Sequence, residues 1–309
     1  MAKIIFMGTP DFAVPTLQRL IDEHEVIGVV TQPDRPAGRG KQVRQSPIKK
    51  LAAAHNIPTY QPKRLRKPEA IEGLRELGIP DVYIVAAFGQ ILPQTVLDIP
   101  PHGSVNVHAS LLPRWRGAAP IHAAIRAGDT ETGVTIMQMD AGLDTGPMIE
   151  ERAIPIAPDE TAETLHDRLA ALGADLLSDV LPRYLSGELT PTPQDDAQAT
   201  FAPQIEKQEG EIDWEQDAAS IERLVRAFHP WPGTYTYWAG KRLKVLGGSV
   251  GKGSAQPGKV KQVDEGVAIG TGNGLFYPSR LQLAGSKPLD IDDFVNGYQD
   301  FIGAHLGAK

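Results

Sequence analysis

Asn106 and His108 stand two residues apart in Val105-Asn-Val-His108, and their side chains suit a site that handles a developing oxyanion and a proton. A strand sends alternate side chains to one face, so these two share a face about 6–7 Å apart along it. Val105 and Val107 are left to pack on the other side. A carboxamide can donate to an oxygen that gains negative charge, and an imidazole beside it can donate or move a proton. Taken alone, the spacing favours a hydrogen-bonded polar pair in a core, because buried polar groups are nearly always paired. Other segments must shift that balance.

Gly142-Leu-Asp-Thr-Gly146 sets a carboxylate between glycines just after an expected strand at 133–139. Glycine lets a backbone turn sharply and approach a ligand closely. Asp144 in such a turn can take a proton or orient His108, the alternative being an ordinary turn aspartate. Both candidates follow strands of one expected sheet, so both are expected at the same edge. Phe88-Gly-Gln-Ile-Leu-Pro93 follows the apolar run Asp81–Ala87. With Leu111-Leu112-Pro113 it would form a pocket of aliphatic walls and free backbone groups, suited to a flat heteroaromatic ligand, or else it tucks into the core.

Thr31–Lys50 carries Arg35, Arg39, Lys41, Arg44, Lys49 and Lys50 against Asp34 alone. A long loop between a strand and a helix is usually functional, and this charge suits a phosphate backbone. Lys241–Val263 adds Lys241, Arg242, Lys244, Lys252, Lys259 and Lys261 with no acid. The whole chain has a net charge of −7, which argues against nonspecific nucleic-acid binding. Two basic segments on an acidic chain point instead to one large polyanion, RNA, although each alone reads equally well as a solvated loop.

The elements that must position these residues alternate. Strands are expected at Lys3–Met7, Glu25–Thr31, Asp81–Ala87 and around Asn106, and helices at Phe12–Asp22, Pro47–Asn56 capped by Ser46, Pro68–Leu77, Ala118–Ala127 and Thr161–Ser186. That order implies an α/β fold with a doubly wound, mostly parallel, Rossmann-like sheet. Ligands bind such sheets beyond the carboxyl ends of the strands. Thr190-Pro-Thr-Pro-Gln-Asp-Asp196 has the composition of an exposed linker. After it come one helix at Ala218–Phe228 and short strands at even spacing, the pattern of a small barrel. The expected organisation is a domain at 1–189, a linker at 190–206 and a second domain at 207–309.

Several classes fall away. The 309 residues contain no cysteine, which removes disulfides, thiolate metal sites and a cysteine nucleophile. Gly8-Thr-Pro-Asp-Phe12 lacks the glycine spacing of a dinucleotide fingerprint, and Pro10 lacks an N–H for a phosphate. A nicotinamide oxidoreductase is therefore disfavoured. No clustered His and carboxylate set is present, so no metal is expected. No apolar run is long enough to span a membrane, and Met1–Phe6 runs directly into a strand. A cytoplasmic monomer without a signal peptide is expected.

Asn106-Val-His108-Ala-Ser110-Leu-Leu-Pro113 together with Gly142-Leu-Asp144-Thr-Gly146 resembles the formyltetrahydrofolate-dependent formyltransferases. Thr31–Lys41, Arg114-Trp-Arg-Gly-Ala-Ala-Pro120 and Phe228-His-Pro-Trp-Pro232 are similar to the branch whose acceptor is initiator methionyl-tRNA. The resemblance covers essentially the whole chain, with Ala109 where that family often has glycine. It implies that Asn106, His108 and Asp144 are catalytic. It implies that Ser110, Leu111, Leu112 and Pro113 bind 10-formyltetrahydrofolate, and Phe88, Gln90, Ile91 and Leu92 of the expected pocket are assigned with them. Arg35, Arg39, Lys41 and Arg44 are assigned to the tRNA acceptor end, and the C-terminal barrel is expected to be OB-like. A formyltransferase for a small amine and a noncatalytic RNA-binding module with this fold remain as rivals.

Overall fold

The computed structural model of the chain describes residues 1–37 and 42–307. The chain opens with β1 (Lys3–Gly8), α1 (Val14–Glu23) and β2 (Glu25–Val30). A ribbon of β3 (Arg35–Ala37) and β4 (Gln42–Arg44) follows, then α2 (Pro47–Ala54), β5 (Thr59–Tyr60), α3 (Pro68–Arg75) and β6 (Val82–Ala86). Next come α4 (Gln94–Leu97), β7 (Ser104–His108), β8 (Arg116–Gly117), α5 (Pro120–Ala127), β9 (Glu131–Gln138), β10 (Met148–Pro155) and α6 (Ala162–Leu185). Two compact units emerge. The first holds residues 1–120, 131–155 and 166–203; the second holds 121–130, 156–165 and 204–309.

The first unit contains a seven-stranded sheet in the order β10-β9-β7-β6-β1-β2-β5. From β7 to β5 all pairings are parallel. These central strands read as continuous apolar runs because both their faces are covered. Every residue of β6 is buried. The other side of the sheet departs from expectation: β9 pairs antiparallel with β7, and β10 antiparallel with β9. The β10 strand was not anticipated. Its exposed charges Glu150 and Glu151 blunt a sheet edge and mask strand patterning.

Helix α6 settles which face of β7 is free. At Gly173 an added Cβ would lie 2.7 Å from Val107 Cγ1. The helix therefore packs directly on the valine face. By alternation, Asn106 and His108 project from the opposite face.

After β11 (Phe201–Ala202), which pairs with β8, the second unit supplies α7 (Ala218–Ala227). Its sheet is β12 (Thr234–Trp238), β13 (Lys241–Gly251), β14 (Val260–Val263), β15 (Gly266–Gly270), β16 (Leu275–Leu283) and β17 (Leu289–Asp290), followed by α8 (Ile291–Gly297). The strands are antiparallel in the order β12-β13-β16-β15-β14, with β17 on β16. Among the described residues no ladder joins β12 to β14, so the pairing does not close a barrel. Trp238 packs edge-on against Phe301 at 5.2 Å between ring centres, in a core shared with Trp214, Val225, Phe276 and Phe294.

Candidate active site

Asn106 and His108 are 8 % and 6 % exposed, so a polar pair lies on a covered face of β7. His108 is held from both sides. Its Nε2 lies 3.2 Å from the Trp115 carbonyl, and its Nδ1 lies 3.7 Å from Asp144 Oδ2. A carbonyl oxygen only accepts, which puts a proton on Nε2. Among the described residues the Asn106 carboxamide has no hydrogen-bond partner. Its amide atoms are not among the enclosed unpartnered ones, so the carboxamide stands open to solvent or to a ligand group.

Asp144 reaches His108 by a route other than the one expected. Because β9 runs antiparallel to β7, its end at Gln138 lies beside Val105, opposite the His108 edge. The chain then folds back. Asp140 Oδ1 accepts from Gly142 N at 3.0 Å and from Thr145 Oγ1 at 2.7 Å, tying the turn. Gly146 lies so close to the Gln138 carbonyl that no Cβ would fit. Asp144 itself adopts φ 52°, a left-handed conformation that aspartate tolerates better than most residues. Its Oδ2 also accepts from Gly117 N at 2.8 Å, which aims the carboxylate at the imidazole. The two glycines, expected to let the backbone approach a ligand, here make room for protein atoms, the Thr145 side chain at Gly142 and the Gln138 carbonyl at Gly146.

The segment between His108 and Gly117 is built from internal hydrogen bonds. Ser110 Oγ donates to Arg114 O at 2.6 Å, and Arg114 N donates to Leu111 O at 3.1 Å. Trp115, at φ 61°, donates its N–H to Thr200 Oγ1 at 2.9 Å. Leu112 is buried, whereas Leu111 and Pro113 are half-buried. Arg114 lies over the Trp115 ring at 4.4 Å.

The expected apolar pocket at 88–92 is divided. Phe88 and Leu92 belong to a core cluster with Tyr83 and Val96, while Ile91 is 80 % exposed. Gln90 turns inward: its Nε2 donates to Pro62 O at 2.9 Å and its Oε1 accepts from Leu65 N at 2.9 Å. The carbonyls of Phe88 and Gly89 are not free, since Gln32 Nε2 donates to them at 3.1 and 3.2 Å. Gln32, Pro33, Lys63, Gly89 and Gln90 line an open cavity of about 340 Å³ that sequence patterning did not reveal.

In the basic segment, Arg39 and Lys41 lie outside the described residues, Arg35 is described by backbone alone, and Arg44 is exposed. At its root Asp34 accepts from Lys49 Nζ at 2.6 Å and from Gln61 Nε2 at 2.8 Å. These two hydrogen bonds hold the Asp34 carboxyl below its ordinary pKa. Among the described residues no group of three His, Asp or Glu side chains is placed to hold a metal ion, and no helix is long and apolar enough to cross a membrane.

The comparisons with known proteins agree with one another. Residues 2–181 match the family described as formyl transferase, and residues 204–299 match its C-terminal domain. The chain is 51 % identical over 309 residues to a methionyl-tRNA formyltransferase of Geotalea daltonii, covering 99 % of each protein. It is 49 % identical over 307 residues to that of Geobacter sulfurreducens, covering 99 % of this chain and 96 % of the relative. Among solved structures, HypX from Aquifex aeolicus in complex with tetrahydrofolic acid aligns with a TM-score of 0.63 at 20 % identity over 97 % of this chain. This chain spans about half the length of HypX, 48 % of it. The N-formyltransferase of Helicobacter canadensis, in complex with folinic acid and dTDP-3-aminofucose, aligns with a TM-score of 0.65 at 17 % identity, covering 94 % of this chain and 100 % of that one. At such identities the likeness is one of fold.

Proposed function

The chain belongs to the formyl transferase family, and we propose that it moves the formyl group of 10-formyltetrahydrofolate onto the amino group of initiator methionyl-tRNA. The product is N-formylmethionyl-tRNA, used to start translation. What carries this reading is the Asn106 carboxamide, unpaired among the described residues, beside the His108–Asp144 pair, in a chain that aligns end to end with methionyl-tRNA formyltransferases.

The residues divide the work by their chemistry. Asn106 donates to the formyl oxygen as that atom gains negative charge. His108, held between the Trp115 carbonyl and Asp144, lies alongside and stabilises the same developing charge. The acceptor amine must be neutral to attack, and an α-amino group titrates at about 7.7–8.0, so a modest base suffices. Asp144 takes that proton, directly or through one water. The new bond joins the neutral amine nitrogen to the formyl carbon, the bond from that carbon to N10 breaks, and the second proton, which the nitrogen sheds on becoming an amide, passes to N10. The folate ring and formyl group fit beside Ser110–Pro113 and the 88–92 turn.

The chain is read as a catalytic domain at 1–189, a linker at 190–206 and an OB-like tRNA-binding domain at 207–309. The basic segment Arg35–Arg44 meets the acceptor end of the tRNA. The protein acts as a monomer in the cytoplasm, where its tRNA substrate is charged. The deciding experiment incubates the protein with charged initiator tRNA and 10-formyltetrahydrofolate. A blocked methionine amine is expected. Formylation of a nucleotide-linked amino sugar with none of the aminoacyl-tRNA would overturn the reading.

A further inference from the structure

We propose that Gln194 is the positioning residue for Asp144, holding that carboxylate against His108 by gripping the backbone of its loop. The inference rests on the reading of Asp144 as catalytic. Gln194 Nε2 donates to Asp144 O at 2.8 Å and to Gly146 O at 2.7 Å. Its Oε1 accepts from Arg116 Nε at 3.0 Å and from Arg116 Nη2 at 2.8 Å. A guanidinium only donates and a carbonyl only accepts, so the amide orientation follows from its partners. Both donors and both acceptor positions of the amide are used. No hydrogen-bonding position of the half-buried amide is left for a ligand.

Arg116 anchors the arrangement. It is 3 % exposed, its Nη2 also reaches Asp196 Oδ1 at 2.8 Å, and its backbone N donates to Thr200 O at 2.9 Å. The next residue, Gly117, donates its N–H to the Asp144 carboxylate. The Arg116–Gly117 pair therefore fixes Asp144 twice, at the side chain directly and at the backbone through Gln194. The left-handed φ of Asp144 carries a local cost, and these contacts hold it in place. Gln194 is delivered by a reciprocal backbone pairing of Thr192 with Met148, at 2.8 and 2.7 Å. The Thr190–Asp196 stretch, with the composition of a free linker, is thus built into the site.

The test compares Gln194→Met, near in volume but unable to make any of the four bonds, with Asp144→Ala and with the double variant. A displacement of about 1 Å at a reacting group costs on the order of 10²-fold in rate, so Gln194→Met should lose about that much kcat. KM for folate and for tRNA should stay within about twofold, because no ligand contact is removed. The thermal midpoint should fall, because two loop carbonyls and the buried Arg116 guanidinium lose partners, and Gln194→Glu, which keeps the acceptor for Arg116, should fall less. In the Asp144→Ala background Gln194→Met should add no further loss, the signature of action through Asp144. Parental kcat in Gln194→Met, the same fractional loss with and without Asp144, or a rise in KM as large as the loss of kcat would each overturn the proposal. If Asp144→Ala is too slow to carry the cycle, the kcat-against-KM split decides. Parental turnover in Asp144→Ala is the separate result that sinks the catalytic reading of Asp144 itself.

Discussion

Thr135 Oγ1 donates to Ser110 O at 2.7 Å and accepts from Leu112 N at 3.1 Å, tying the segment after β7 to the strand beside it. Thr135 is also the residue paired with His108 across β7 and β9. One hydroxyl thus fixes the 110–112 backbone relative to the imidazole. Thr135 is fully buried, so no water replaces it. Thr135→Val keeps the shape and strands both backbone groups, at about 1–3 kcal/mol for each buried group left unpaired. Urea denaturation should register that loss, and Thr135→Ser should recover most of it. Equal stability of the valine and serine proteins would show that the hydroxyl is not the tie.

Asp34 offers a pH-dependent check at the root of the basic segment. Its hydrogen bond from Lys49, then that from Gln61, depress its pKa in the folded chain. A depressed carboxylate contributes stability above its unfolded value of about 3.9, and the contribution disappears as pH falls through the lower folded value. Asp34→Asn should therefore lower the thermal midpoint at neutral pH and converge with the parent on acidification below about pH 4. A gap unchanged across that range would mean that ionisation of Asp34 plays no part.

Much of this was legible because it was local. The buried strand near Asp81–Ala87 declared itself through an unbroken apolar run. Ser46 was readable as a helix cap, and its side chain accepts from Lys49 N at 3.1 Å. Asn106 and His108 share a face because strand alternation permits nothing else. What stayed hidden was long-range. The antiparallel course of β9 reverses the edge from which Asp144 comes, and no residue in that strand announces its direction. Gln90 and Gln194 carry the same amide, yet one anchors a loop to Pro62 and Leu65 and the other binds partners 48 to 78 residues away. Composition cannot separate these roles.

Gly173 couples a helix to the face of β7. An added Cβ would meet Val107 Cγ1 at 2.7 Å and Val134 Cγ1 at 3.6 Å. Alanine in a helix gains about 1 kcal/mol over glycine, while overpacking a core costs about 1–3 kcal/mol. The clash should win. Gly173→Ala should therefore destabilise the chain and, by displacing Val107, lower turnover as well. Adding Val107→Ala clears the space, so the double variant should be more stable than the two separate losses predict. Strict additivity would place the strain elsewhere.

Asn106→Ala separates a donor to the reacting oxygen from a group that merely holds folate. The carboxamide has no partner among the described residues, so its removal orphans no protein group and should leave the thermal midpoint near parental. Loss of one oxyanion donor lowers rate by on the order of 10²–10³, and kcat should fall by that factor. Folate affinity, measured by equilibrium binding of a nonreactive folate, should change far less, because the donor acts most strongly on charge that develops during transfer. Asn106→Asp is the sharper variant, since it keeps the volume and replaces the donor with an acceptor. It should be at least as slow as alanine. A loss of folate affinity as large as the loss of kcat would reassign Asn106 from the reacting oxygen to ground-state binding.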